Sequence, residues 1–158
     1  MRPRYVRDPA RERRAERRAR ELLRTTAGDD VFQMYERFGL LAVEDDEREY
    51  GYLIYPQRPI VAYDANSGEL LSEYCVRFRD GSDPAAGQRL PDADDVLAKW
   101  MALRADEEEL IGTANVHPLG RQLDPAMVRR DLAAVRAWRH SKGVGTDERA
   151  AAEGEVVT

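Results

Sequence analysis

At 158 residues, 42% hydrophobic and 35% charged, the chain fits one domain with a modest core and a heavily solvated surface, large enough to fold without metal or disulfide staples. One cysteine, Cys75, excludes an intramolecular disulfide, and no apolar run approaches a signal or membrane-spanning segment. The expected setting is a reducing cytoplasm, or a host cytoplasm or virion if the gene is a phage's. The net charge of −5 hides an asymmetry: residues 1–24 carry ten Arg against Asp8, Glu12, Glu16 and Glu21, a net of +6, which leaves −11 for the remainder.

The basic segment reads as a helix over residues 9–25. Asp8 can cap it, Pro9 suits its first position, and Ala, Arg, Glu and Leu are strong helix formers. At 100° per residue Ala15, Ala19, Leu22 and Leu23 share one side, and Arg13, Arg17, Arg20 and Arg24 the other. That ridge has two readings. As a binding surface, its guanidinium forks can follow phosphates or an acidic partner, with steep salt dependence. As a solvated face, Glu16 lies within reach of Arg13 and Arg20, and Glu21 of Arg17, Arg18 and Arg24, so local pairing can neutralise it. The sheer number of arginines, against only Lys99 and Lys142, fits a GC-rich genome and proves little; their placement says more.

A second helix follows Asp29 or Asp30, with Val31, Tyr35 and Phe38 at i, i+4 and i+7, and stops at Gly39, folding back on Leu22 and Leu23. From Leu40 the period becomes extended. Runs at 40–43, 50–55, 60–63 and 70–78, rich in β-branched and aromatic residues, predict four antiparallel strands in a meander. Alternation in the last strand puts Leu70, Tyr74, Val76 and Phe78 on a buried face and Leu71, Glu73, Cys75 and Arg77 on a wet one. A flexible link at 81–87 leads to a third helix, whose start suits Asp92, Asp94 and Asp95 and whose apolar face is Val96, Leu97, Trp100, Met101 and Leu103. It is expected to cover the sheet, with Trp100 in the core. A fourth helix begins at Asp124-Pro125, places Val128, Leu132 and Val135 inward and frays after Trp138. The organisation expected is a basic helical arm at 1–28, a compact α+β domain at 29–140 and a disordered tail at 141–158, the sheet being flanked by N-terminal and C-terminal helices.

Chemistry-bearing motifs are sparse. His117 and His140 lack metal-ligand spacing, Cys75 has no C-x-x-C partner, and the acidic runs at 45–47 and 106–109 lack the alternation of a calcium loop, so neither metal nor cofactor is expected. No phosphate-loop, dinucleotide or nucleophile-elbow motif occurs. His117, on a loop after a helix end and beside Asn115, is the one candidate base. The five tyrosines of the strand region, with Arg58, Arg77 and Arg79 nearby, can stack a base or a peptide, but Tyr50 and Tyr52 lie opposite Tyr55 and cannot share one platform with it.

The order Arg20-Glu21-Leu22-Leu23, Tyr35-Glu36-Arg37-Phe38-Gly39, Tyr74-Cys75-Val76, Leu90-Pro91-Asp92-Ala93-Asp94, then Ala105 to Glu109 with Ala114-Asn115, resembles small uncharacterised proteins of bacteria and phages over about residues 15–115. The resemblance implies a single compact unit and transfers no catalytic residue. The functional expectation is a binding or accessory module, contacting nucleic acid or an acidic protein surface through Arg13, Arg17, Arg20 and Arg24, or serving in a larger assembly. A small enzyme with a site near His117 and Asn115 is the alternative.

Overall fold

The computed structural model describes residues 8–45, 47–76 and 90–154, with 144–154 as backbone alone. The expected link at 81–87, and Arg77, Phe78 and Arg79, fall outside the described residues.

Helix α1, Pro9–Ala27, starts as its sequence dictates: the Asp8 carboxylate accepts from Ala10 N at 3.1 Å and Arg11 N at 3.4 Å. Gly28, at φ 96°, turns the chain into α2, Asp29–Phe38, which closes on Gly39 in the left-handed region. Of the expected core edge of α1, Ala19 and Leu23 are buried, but Leu22 is 52% exposed. Only a narrow line of this helix meets the body, and Leu22 stands 100° around from Leu23.

The chain then forms an antiparallel sheet in sequential order: β1, Leu41–Val43; β2, Tyr50–Ile54; β3, Ile60–Asp64; β4, Leu70–Cys75; and β5, Asn115–His117. The α+β class is as expected, with five strands among the described residues where four are predicted. In the β3–β4 hairpin Asp64 accepts from the Ser67 and Asn66 amides at 2.8 Å, bonds that hold its carboxyl below the usual range, while Gly68 takes φ 74°. A register shift beside Ala62 and Tyr63 leaves Leu71 as an extra residue in β4. This reverses part of the alternation expected for that strand. Glu73, expected on the wet side, is fully buried, and shares the Val61 face through its register pair.

Both faces are covered. Helix α5, Pro125–Gly154, lies over the face of Leu53, Val61 and Tyr63, with Val128, Leu132 and Val135 buried as expected. Its backbone continues beyond Trp138, where the sequence places its fraying. Arg136 reaches over the Tyr63 ring and bonds Ala65 O, and Arg139 bonds Ala42 O. Tyr63 needs the glycine opposite it: a Cβ on Gly51 would stand 2.2 Å from the ring. On the other face α3, Asp92–Ala105, crosses β1 and β2, with α1 packed on α3 and α4, Glu107–Thr113, beside it. The α2 helix closes one edge, where Phe38 meets Trp138 edge to face at 5.7 Å.

The inner side of α3 departs from its apolar pattern. Val96, Leu97 and Leu103 are buried, Trp100 is only partly so and stacks under Arg104, and Met101 is exposed. Asp95 and Lys99, one turn apart, are buried instead. The Lys99 ammonium donates to Asp95 Oδ2 at 2.6 Å, Tyr55 O at 3.0 Å and Arg58 O at 2.9 Å, using all three protons. Asp95 also accepts from Gln57 N at 2.8 Å, which fixes Gln57 at φ 60° in the β2–β3 turn. One buried ion pair thus locks α3 to a turn of the sheet.

Lys99→Met, which leaves Asp95 buried without its cation, should lower stability by about 3–5 kcal/mol in denaturant titration. A loss below about 1 kcal/mol would mean that the turn relaxes freely and the lock is dispensable.

Candidate functional site

The arginine ridge lies along α1 where the helical spacing puts it. Arg13, Arg17 and Arg24 are exposed and Arg20 is partly covered. The local pairing that would neutralise the ridge is only half made. Glu21 takes Arg24 at 2.8 Å, and Glu16 takes Arg20 at 3.4 Å. Arg20 also stacks on the Tyr35 ring, 5.4 Å from its centroid. Neither Arg13 nor Arg17 has an ion-pair partner among the described residues.

For Arg17 the acid within reach, Glu21, is taken by Arg24; for Arg13 the reason is Glu16, which serves the body as much as its own helix. It accepts from the Tyr35 hydroxyl at 3.0 Å and, through its other oxygen, from Ala93 N at 3.3 Å. The start of α3 has Pro91 as its cap residue and no side-chain cap of its own, so a carboxylate from α1 satisfies one of its free amides. With Glu16 oriented inward, the outer half of the ridge keeps its charge.

The second candidate, His117 with Asn115, belongs to strand β5 and not to a loop after a helix end. Three residues containing Asn and His carry little strand signal, and pairing to β4 determines the conformation. The register sets Glu73 opposite His117 and Cys75 opposite Asn115, so these four residues share one face at the sheet edge. The carboxylate in this group is committed elsewhere: Glu73 accepts from Gly120, Gln122 and Leu123 amides at 3.3, 3.2 and 3.1 Å, shaping the loop that enters α5. The His117 Nδ1 accepts from Arg121 at 3.4 Å. Glu73 therefore orders a loop, and no hydrogen bond joins it to the imidazole among the described residues. Among the described residues no group of three or more His, Cys, Asp or Glu is arranged to hold a metal ion, and no helix is long and apolar enough to cross a membrane.

The tyrosines divide by face. Tyr55 and Tyr63 lie under α5, where their hydroxyls donate to Asp131 and Glu44, both at 2.7 Å. Tyr50, Tyr52 and Tyr74 lie on the opposite face and line a groove of about 760 Å³ between the sheet and α4. Tyr52 donates to Glu107 at 2.5 Å, and Arg48 pairs with the other oxygen of that carboxylate. The sequence shows Tyr50 and Tyr52 on one face, but the groove also needs the register shift at Leu71 and the position of α4. Neither is encoded in the spacing.

No family model matches the chain, and comparison with curated proteins and with solved structures gives no significant match.

Four phenols, Tyr35, Tyr52, Tyr55 and Tyr63, are held above their ordinary range, first by burial and then by the carboxylate each one bonds. Each folded value exceeds that of the unfolded chain, so the stability linked to these groups is complete below about pH 10 and is lost as pH rises toward the folded values. In an alkaline titration followed by tyrosinate absorbance and circular dichroism, ionisation of these four among the seven tyrosines should coincide with unfolding. Ionisation of all seven with the fold intact would contradict it.

Proposed function

We propose that the protein is a non-catalytic binding module whose α1 ridge engages the phosphate backbone of a nucleic acid. The observation that carries this reading is the commitment of both nearby acids, Glu16 to Tyr35, Ala93 N and Arg20 and Glu21 to Arg24, which leaves Arg13 and Arg17 exposed without an acidic partner among the described residues. Helix α1 carries seven Arg against three Glu, a net of +4, on a chain that is acidic overall. A planar guanidinium offers paired donors to phosphate oxygens, and release of counterions makes such contacts strongly salt-dependent. The acidic remainder of the chain repels a polyanion, so contact is confined to the helix and affinity is modest. Against the enzymatic alternative stands the engagement of Glu73, the carboxylate paired in register with His117, by three backbone amides.

The test is fluorescence anisotropy with labelled single- and double-stranded DNA and RNA at low and physiological salt. Binding should weaken steeply with salt. The double variant Arg13→Glu/Arg17→Glu should abolish it, with stability within about 0.5 kcal/mol of the wild type as for exposed substitutions. Absence of binding to every probe at about 50 mM salt would overturn the nucleic-acid reading. Capture of an acidic protein by the full chain, lost in the Arg13→Glu/Arg17→Glu variant, would then assign the ridge to an assembly.

A further inference from the structure

A second surface, independent of the ridge, has the opposite electrostatic character. The groove between α4 and the sheet is about 760 Å³, within the range of small-ligand sites. Its floor is made small by two residues of adjacent strands, Ala62 and Ser72, which stand side by side in register with Tyr52. Its walls are aromatic and aliphatic: Tyr50 is 47% exposed and Leu71 38% exposed, the latter placed there by the bulge. Large apolar groups left open beside a small floor form a slot for a flat group.

Two further features define what the slot accepts. Gly112 lines it from α4, and a Cβ at that position would meet nothing within 4 Å. Its φ is not positive, so neither turn geometry nor packing calls for glycine, which in a helix costs up to about 1 kcal/mol relative to alanine. The missing side chain leaves the slot open. The charges at the rim are carboxylates, Glu107 and Glu108, and among the described residues no Lys or Arg lines the groove. Glu107 is neutralised by Arg48 and bonded by Tyr52, whereas Glu108 is exposed. Tyrosine faces and a carboxylate both attract positive charge.

We propose that this groove binds a small organic cation with a flat apolar body, stacked against Tyr50 and Tyr74, with the buried Tyr52 ring behind them, and with its charge toward Glu108. The apolar body fills the space over Ala62 and Ser72 and beside Gly112. An anion of the same shape meets the exposed carboxylate of Glu108 and is rejected.

The probe is benzyltrimethylammonium, compared with benzyl alcohol and benzoate and titrated into the full chain by NMR. The cation should bind saturably, with shifts centred on the Gly112 amide and the three tyrosine rings. The neutral alcohol should bind about tenfold more weakly, and benzoate not detectably. Gly112→Leu should abolish binding by filling the slot, and Glu108→Gln, an exposed substitution that leaves the fold intact, should weaken it about threefold. The Arg13→Glu/Arg17→Glu variant should bind the cation like the wild type, which separates this site from the ridge. Equal binding of benzoate, shifts spread over other acidic surfaces, or full affinity in both groove variants would overturn the proposal.

Discussion

The hydrogen bond from a tyrosine hydroxyl to a carboxylate on another element recurs through this molecule, and the arrangement of its layers depends on it. Tyr35 bonds Glu16, Tyr52 bonds Glu107, Tyr55 bonds Asp131 and Tyr63 bonds Glu44, at 3.0, 2.5, 2.7 and 2.7 Å. Each pair joins a different combination: α2 to α1, β2 to α4, the residue after β2 to α5, and β3 to the segment after β1. A tyrosine suits this place because its ring buries apolar area while its hydroxyl needs a partner at the margin of the core. Charge-assisted bonds of this kind are stronger than neutral ones and directional, so they fix rotation and slide between packed elements. An acid-rich chain with a modest apolar fraction uses its carboxylates to complete its core.

That use of carboxylates shapes the surface as well. Glu16 bonds Tyr35 and an amide of α3, and so cannot also neutralise Arg13. The basic face of α1 and the satisfied interior are therefore two results of one side-chain orientation. Glu107 shows the same coupling on the other side of the molecule: by accepting from Tyr52 and pairing with Arg48 it anchors α4 over the sheet, which creates the groove. The two candidate surfaces, one cationic and one aromatic and acidic, both follow from how the fold satisfies its phenols.

Three buried charged side chains complete the scaffold by binding backbone. Lys99 and Asp95 together meet two carbonyls and one amide of the β2–β3 turn. Glu73 meets three amides of the loop before α5. In each case a charge removed from water is surrounded by hydrogen bonds, the condition under which burial is tolerated. These contacts link segments more than 35 residues apart in the chain, and both stabilise connections rather than regular elements.

The local elements were legible in the sequence because their causes are local. Asp8 and Pro9 start α1, Gly28 and Gly39 bound α2, Asp64 and Gly68 turn the β3–β4 hairpin, and the inward positions Val128, Leu132 and Val135 follow from helical period alone. The arginine ridge was legible for the same reason, since angular spacing places Arg13, Arg17, Arg20 and Arg24 without knowledge of neighbours. Tertiary structure decided which of those arginines kept an acid, because Glu16 chose between Arg13 beside it and Tyr35 nineteen residues away. It also made a strand of Asn115–His117, buried Glu73 through a one-residue shift, and placed Lys99 inside α3, where the apolar pattern points to Trp100. Periodicity reports which side of an element is apolar; the partner of a polar group is set by what the folded chain brings within about 3 Å of it, and spacing in sequence does not carry that distance.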